Sequence, residues 1–191
     1  IDTDVNCAAL AEGIHGACRG LDNHCYITVG TGIGVGIISG GQVLQGRLHT
    51  EVGHMCVPLA EGDTFSGTCA YHGNCLEGLA CGPAMKERWG IPVPDLPDDH
   101  PAWDMEAHYV ACLCNNLTYM VRPDRIVIGG GVFGRATLYD RVRQKFAEMI
   151  NYYAPGAAAD PQTFISEPGV KDGAPGLIGA VMLAQRAAES A

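Results

Sequence analysis

Basic residues are scarce in this sequence. Its 191 residues include 12 Lys and Arg against 21 Asp and Glu, which gives a formal net charge of −9. This acidic balance disfavours nucleic acid and anionic membrane surfaces as partners, because both repel a negatively charged protein. It does not exclude a small phosphate-bearing ligand, since local backbone N–H groups can hold a phosphate whatever the net charge.

Long apolar runs and a recognisable signal peptide are also missing, so the sequence predicts neither a membrane span nor secretion. Hydrophobic residues make up 47% of the chain and charged residues 17%, which is typical of a folded globular domain. Nine cysteines lie mostly in apolar segments, a pattern that favours buried, reduced cysteines in a cytoplasmic protein.

The chain does not start with Met. It opens Ile1-Asp2-Thr3-Asp4 and at once enters a segment of good helix formers over 4–20, which Asp2 or Asp4 can cap and Gly20 can end. No strand precedes this helix. We therefore expect the chain to be part of a longer protein.

Residues 51–77 form the most informative stretch. Within it, Cys69-Ala-Tyr-His72-Gly-Asn-Cys75 places three sulfur or nitrogen donors in seven residues. A tight turn at Gly73 would aim the three donors at one point. His54 upstream would complete the four-donor tetrahedral shell that Zn²⁺ prefers, and thiolate ligands argue against Mg²⁺ or Ca²⁺. The sequence therefore predicts a structural zinc site, because four protein ligands leave no position for water.

The alternative interpretation of this stretch is a set of buried cysteines and ordinary surface histidines. His49 is the rival fourth ligand. We prefer His54 because it lies between Glu51 and Glu77, two carboxylates that could form a site around it. The loop that separates His54 from Cys69 is rich in turn-forming residues, so a metal is a plausible way to order it.

Glycine clusters follow two of the expected strands. A strand over 25–29 leads into Gly30-Thr31-Gly32-Ile-Gly34 and a second strand, which predicts a hairpin. Glycines let backbone N–H groups close on a phosphate, yet this motif alone fits an ordinary glycine-rich hairpin. It is not a dinucleotide fingerprint, since no helix follows it. A buried-type strand over 125–128 likewise runs into the three glycines at 129–131.

The rest of the chain predicts helices separated by turns. Apolar periodicity, proline and glycine place these helices at 82–89, 102–122, 137–153 and 175–190, with an edge strand at 162–166. Residues 92–101 form a proline-rich acidic loop. Strands that alternate with helices predict an α/β domain whose ligand lies at the carboxyl ends of its strands.

Five segments, taken together and in order, resemble the ROK family of sugar kinases and related repressors, most closely its fructokinase-like members. The segments are Asp2-Thr-Asp4-Val-Asn6, Gly30-Thr-Gly32-Ile-Gly34, Glu51-Val-Gly-His54, Cys69-x2-His72-x2-Cys75-x-Glu77 and Gly129-Gly-Gly131. The resemblance implies an actin-like, ribonuclease-H-like ATPase fold with two lobes around a cleft. Residues 1–191 would be the C-terminal lobe, a mixed sheet flanked by helices, with a zinc- and sugar-binding insertion at 46–78. The N-terminal lobe, with its first phosphate loop and magnesium-linked aspartate, would be missing.

The resemblance also implies roles for individual residues. Asp4 would be the general base that takes the proton from the sugar hydroxyl. The hexose would contact Thr3, Asp4, Glu51, His54 and Glu77. Mg-ATP would contact Gly30, Thr31 and Gly32 as the second phosphate loop, and Gly129, Gly130 and Gly131 at the adenosine. The zinc would be held by His54, Cys69, His72 and Cys75.

The function implied is ATP-dependent phosphorylation of a hexose hydroxyl, with fructose as the leading substrate, in a cytoplasmic homodimer. Thr3 stands where many members have Asn, and His72 where many have Cys; both resemble the fructokinase-like branch. The alternatives are a glucose, mannose or amino-sugar kinase and a sugar-sensing repressor. Asp4 favours a kinase, because a sensor needs no base. Without the N-terminal lobe, we expect the chain itself to have little or no activity.

Overall fold

A mixed five-stranded sheet forms the centre of the molecule. The computed structural model describes residues 2–153, 156–171 and 175–189. The strands are β1 (His24–Val29), β2 (Ile33–Ser39), β3 (Gln42–Val43), β4 (Arg125–Gly129) and β5 (Ile165–Ser166), in the order β3-β2-β1-β4-β5. β1 pairs antiparallel with β2 and parallel with β4, which in turn pairs parallel with β5. The hairpin and the α/β arrangement expected from the sequence are both confirmed.

Seven α-helices accompany the sheet within the described residues. They are α1 (Asp4–His15), α2 (Leu76–Ala80), α3 (Gly82–Trp89), α4 (Ala102–Val121), α5 (Ala136–Ile150), α6 (Pro161–Phe164) and α7 (Pro175–Glu189). None of the described helices is long and apolar enough to cross a membrane. The nine cysteines form no disulfide, and seven of them are buried.

The sheet has a separate apolar cluster on each face. Ile126 and Ile128 belong to the larger cluster, which is formed with α4 and α5, whereas Val127 between them packs with α1. This alternation follows from the two-residue period of a strand. Because both faces are covered, the central strands are apolar along their whole length.

Two glycines allow α1 to pack closely between the sheet and α7. A Cβ atom on Gly36 of β2 would lie 2.4 Å from the Val5 carbonyl oxygen, and one on Gly179 of α7 would lie 1.9 Å from that of Cys7. Contacts this short are impossible for a real Cβ, so any larger residue would push the helix away. This packing fixes the start of α1, and hence Asp4, against the hairpin.

Several predicted boundaries were wrong. α1 ends at His15 rather than Gly20, and its cap is Thr3, whose Oγ1 accepts from the Asn6 N–H at 3.2 Å, rather than Asp2 or Asp4. α5 covers Ala136–Ile150 rather than 137–153. The predicted strand at 162–166 is mostly α6, because Asp160 caps a short helical turn there, and only its last two residues pair as β5. The short helix α2 was not predicted.

Candidate active site and metal centre

Four side chains converge at one corner of the molecule. Their donor atoms, from His54, Cys69, His72 and Cys75, all lie within 4.8 Å of one another. The Cys75 and Cys69 sulfurs lie 3.5 and 3.8 Å from His54 Nδ1, and Cys69 Sγ lies 3.6 Å from His72 Nδ1. Tetrahedral Zn²⁺, with bonds of about 2.3 Å to sulfur and about 2.0 Å to nitrogen, sets such donors about 3.5 Å apart. The donor set and its spacing therefore fit zinc.

A tight turn brings Cys69 and His72 together. The Cys69 N–H donates to the Gly73 carbonyl at 3.1 Å, and the Gly73 N–H returns a bond of 2.9 Å to the Cys69 carbonyl. Gly73 takes a φ of 63°, in the left-handed region that other residues rarely adopt. Cys75 follows directly as the N-cap residue of α2. The sequence prediction of a turn at Gly73 is confirmed.

The two thiols differ in their electrostatic environment. Backbone N–H groups of Tyr71 and His72 lower the pKa of Cys69 to about 7, because they stabilise the thiolate. Burial raises the pKa of Cys75. Cys69 thus offers a thiolate near neutral pH, whereas the Cys75 thiol loses its proton less readily.

His54 presents its two ring nitrogens to different partners. Nδ1 faces the thiols, while Nε2 points towards Glu77, whose Oε1 lies 4.0 Å away. His49, the rival ligand, lies outside the donor cluster and instead contacts Glu51, with 2.8 Å between His49 Nε2 and Glu51 Oε1. Glu51 itself is exposed.

Glu77 joins the donor cluster to the glycine turn. Its second oxygen, Oε2, accepts a hydrogen bond from the Ile33 N–H at 3.0 Å. A Cβ atom on Gly32 would lie 2.6 Å from the same oxygen, so a larger residue at this position would displace the Glu77 carboxylate. The Glu77 carboxylate on α2 therefore binds the β1–β2 turn directly and lies near His54.

Asp4 lies in the first turn of α1 and is exposed. Its Oδ1 accepts from the Val5 N–H at 2.9 Å, and among the described residues Oδ2 has no partner. The side chain of Asp2, two residues earlier, accepts a hydrogen bond at Oδ2 from Gln45 Nε2 at 3.2 Å. Gln45 lies in the segment that leads to Glu51.

The two glycine turns meet in a cleft of about 580 Å³ at the carboxyl ends of β1 and β4. Gly30 and Thr31 line it from one turn and Gly131 from the other. Gly129 and Gly130 line a separate depression instead. The structure therefore brings the two predicted nucleotide-contact turns together but divides their glycines between two surfaces.

Most of the remaining cleft wall was not predicted. Its other lining residues are Gly82, Pro83, Lys86, Pro92, Val93, Pro94 and Val132. The sequence marked Pro83 only as a helix start and residues 92–94 only as part of a surface loop. No local pattern signals the role of these residues, because long-range packing brings them to the cleft.

A buried polar cluster around Asp63 was also missed. Arg88 of α3 lies 3.0 Å from Asp63 of the loop, and the two side chains are 8% and 3% exposed. The Tyr109 hydroxyl donates to the same Asp63 carboxylate and accepts from the Ala60 N–H at 3.2 Å. The guanidinium also covers the Phe65 ring at 4.6 Å. These contacts hold the segment 60–65 against α3 and α4.

Comparison with known proteins gives consistent matches. The chain matches the ROK family model over residues 1–187. It is 41% identical over 189 residues to a fructokinase of Pediococcus pentosaceus, covering 99% of this chain and 65% of that protein. It is 42% identical over 188 residues to a fructokinase of Zymomonas mobilis, covering 96% of this chain and 61% of that protein.

A solved structure matches as well. The ROK hexokinase of Thermus thermophilus superposes with a TM-score of 0.76 at 28% identity, covering 94% of this chain and 63% of that one. The mixed sheet with its helices therefore has the actin-like ATPase fold that the sequence resemblance implied. The chain spans 61–65% of the length of the relatives named here.

Proposed function

The chain belongs to the ROK family, and on that premise we propose that it is the C-terminal lobe of an ATP-dependent hexose kinase with fructose as its substrate. Its similarity to fructokinases supports this choice of hexose. Because the chain spans less than two thirds of those proteins, an N-terminal lobe would supply the rest of the cleft. Residues 46–78 would form the zinc- and sugar-binding insertion.

Asp4 is the proposed general base. Its Oδ2, which has no hydrogen-bond partner among the described residues, and its exposure at the start of α1 leave it able to accept a proton. In the proposed step, the sugar hydroxyl oxygen bonds to the γ-phosphorus of ATP while the bond to the β–γ bridging oxygen breaks. The hydroxyl proton moves to Asp4, and ADP leaves with the bonding electron pair. Mg²⁺ would neutralise charge on the phosphates.

The hexose would lie between Asp4 and the metal centre, in contact with Thr3, Glu51, His54 and Glu77. Carboxylates suit this role because each can accept hydrogen bonds from neighbouring sugar hydroxyls. Zinc held by His54 Nδ1, Cys69, His72 and Cys75 would be structural, with four protein ligands and no open position. Its effect would be to orient His54 so that Nε2 faces the sugar.

The observation that carries the proposal is the double contact of Glu77. It accepts from the Ile33 N–H at the glycine turn and lies 4.0 Å from His54 at the donor cluster. The proposed phosphate loop and the proposed sugar site thereby lie against the same side chain. Such fixed positioning is what phosphoryl transfer requires from a protein.

The test uses the full-length protein, meaning this chain together with its proposed N-terminal lobe. Elemental analysis is expected to give one zinc per chain, and ATP-dependent turnover is expected to be faster with fructose than with glucose, mannose or N-acetylmannosamine. Asp4→Asn should lower kcat about 10²–10⁴-fold through loss of the base. Asp99→Asn, an exposed carboxylate in the proline-rich loop, is the matched control and should leave kcat unchanged.

Three results would argue against parts of the proposal. A preference for another hexose would move the substrate assignment to that sugar. Zinc and sugar binding without turnover on any hexose would favour the repressor alternative. An active Asp4→Asn variant would leave Asp4 as an ordinary helix N-terminal residue.

A further inference from the structure

Glu12, in the last turn of α1, is a buried acidic side chain that the proposed mechanism does not use. The residue is 0% exposed, and among the described residues no Lys or Arg side chain forms an ion pair with it. Burying a carboxylate costs free energy unless hydrogen bonds satisfy it. The groups that donate to Glu12 therefore indicate its role.

Three backbone N–H groups donate to the Glu12 carboxylate. Those of Ala17 and Gly169 donate to Oε2 at 2.7 and 2.9 Å, and that of Val170 donates to Oε1 at 3.1 Å. Ala17 lies in the turn directly after α1, whereas Gly169 and Val170 lie 157 and 158 residues further along the chain. Hydrogen bonds to an ionised group are roughly twice as strong as neutral ones. Glu12 thus ties a distant segment to the end of α1.

The distant segment follows β5 directly. We call residues 167–171 the post-β5 segment; they belong to no helix or strand. Pro168 has no N–H to donate, so the next two residues supply the donors that reach Glu12. A Cβ atom on Gly169 would lie 2.3 Å from the Ala17 nitrogen, so the segment packs tightly against the turn after α1.

The post-β5 segment forms one wall of the depression that holds two of the predicted nucleotide-contact glycines. Gly129 and Gly130 line this depression of about 420 Å³, together with Tyr139 of α5. The post-β5 segment contributes Glu167, Pro168, Val170 and Lys171 to the same lining. The distance of this wall from the glycines therefore depends on where the segment is held.

We propose that Glu12 is a positioning residue for the nucleotide, because it holds the post-β5 segment as one wall of the adenosine site. The inference rests on the proposed kinase function and concerns the nucleotide subsite of that same site. Glu12 itself does not touch the nucleotide. Without its hydrogen bonds the segment would populate other arrangements, and the apparent affinity would fall with the fraction that remains competent to bind.

The kinetic test is Glu12→Gln in the full-length protein. The amide keeps one acceptor oxygen, but its NH₂ group faces N–H donors that the carboxylate oxygen accepted. We expect KM for ATP to rise about tenfold, the equivalent of one hydrogen bond to a charged group. KM for fructose and kcat should not change, which is the pattern of a lost binding contribution.

This pattern separates local positioning from a general disturbance of the fold. Asp4 lies on the same helix, so displacement of α1 would also lower kcat. Glu106→Gln changes another buried carboxylate, on α4, and is the matched control; it should leave KM for ATP unchanged. An unchanged KM for ATP in Glu12→Gln, or a loss shared equally by ATP and fructose, would overturn the inference.

Gly169→Ala tests the same wall from the opposite side. The added methyl would lie 2.3 Å from the Ala17 nitrogen, so the post-β5 segment must shift while Glu12 stays intact. We expect the same selective rise in KM for ATP. If Glu12→Gln does not fold, Gly169→Ala decides alone, and an unchanged KM for ATP in that variant would overturn the inference.

A binding experiment separates this inference from the proposed function. Calorimetry measures ATP binding to the full-length wild type and to Glu12→Gln without any sugar present. Binding that is about tenfold weaker in the variant, with no phosphate transfer to any hexose by the wild type, would remove the kinase proposal and retain the inference. Fructose phosphorylation with equal ATP affinity in the two proteins would do the reverse, and a wild type that does not bind ATP would overturn the inference.

Discussion

Glu106 of α4 is a single residue whose environment has a measurable consequence. Its side chain is buried, the residue is 1% exposed, and neither carboxylate oxygen has a hydrogen-bond partner among the described residues. Burial raises its pKa well above the usual value near 4.5, and the nearby Arg88 guanidinium only partly opposes this shift. Glu106 is therefore protonated in the folded protein over a range where the unfolded chain is ionised.

This raised pKa makes stability fall with pH. Above about pH 4.5 the native state keeps a proton that the unfolded state has lost, so rising pH favours unfolding until Glu106 ionises in the fold. Glu106→Gln replaces the titratable carboxyl group with a neutral amide and so removes this pH dependence. We expect the variant to match the wild type near pH 4.5 and to gain stability relative to it by up to about 1.4 kcal/mol per pH unit above.

The measurement is urea unfolding of both proteins at several pH values between 4.5 and 8. Glu87→Gln, which changes an exposed carboxylate on α3, serves as the control. Its free energy of unfolding should vary with pH in parallel with that of the wild type. A Glu106→Gln profile that is also parallel to the wild type would show that Glu106 is ionised in both states or in neither.

The metal loop, defined as residues 54–75, shows how one element is ordered from two sides. Its composition suggested a metal as a plausible way to order it, and the Asp63–Arg88 pair and Tyr109 also hold its first half. In the proposed zinc site, Cys69, His72 and Cys75 would hold its second half through the metal. The two halves should therefore lose their order independently.

Chelation of the metal tests this division. It should raise amide exchange in residues 69–75 by more than about tenfold while 60–65 stay protected, since local stability follows local contacts. Arg88→Met should raise amide exchange in residues 60–65 while 69–75 stay protected, because breaking a buried ion pair costs about 3–5 kcal/mol. Exchange measured by mass spectrometry distinguishes the halves, and uniform deprotection after chelation would contradict independent anchoring.

The sequence predicted the elements that depend on local chemistry. The β1–β2 hairpin, the Pro83 start of α3 and the end of α4 before Pro123 were all correct to within a residue or two. The spacing of the three donors and the choice of His54 also agree with the geometry. Each follows from turn residues or periodicity, which a sequence displays directly.

Features set by distant contacts could not be predicted. Arg135 reaches the proline-rich loop about forty residues earlier in the chain, and Glu77 reaches the Ile33 N–H across 44 residues. The residue pattern around Gln162 suggested a strand, but the Asp160 cap and the edge position allowed a helical turn instead. In each case tertiary structure decided what local propensity left open.

At the scale of the whole molecule, the cleft of about 580 Å³ is the feature that the two-lobe proposal concerns. This chain supplies the Gly30 turn, the Gly131 turn and the proline-rich loop to the cleft wall. Its relatives are longer, since the chain spans 61–65% of them. In the proposed kinase, the opposite wall, with the first phosphate loop, belongs to the N-terminal lobe.

The last prediction follows from that division. The purified 191-residue chain, supplied with Mg-ATP and fructose, should turn over at less than about one thousandth of the rate of the full-length protein. Positioning of the reactants contributes about 7–11 kcal/mol to such reactions, and half of the positioning groups would be absent. The same chain should still bind one zinc, because all four donors lie within it. A coupled assay of ADP release measures the turnover, and adding the separately produced N-terminal lobe should restore part of it. Full activity of the chain alone would mean that these residues already contain a complete phosphate site, and the two-lobe assignment would have to be abandoned.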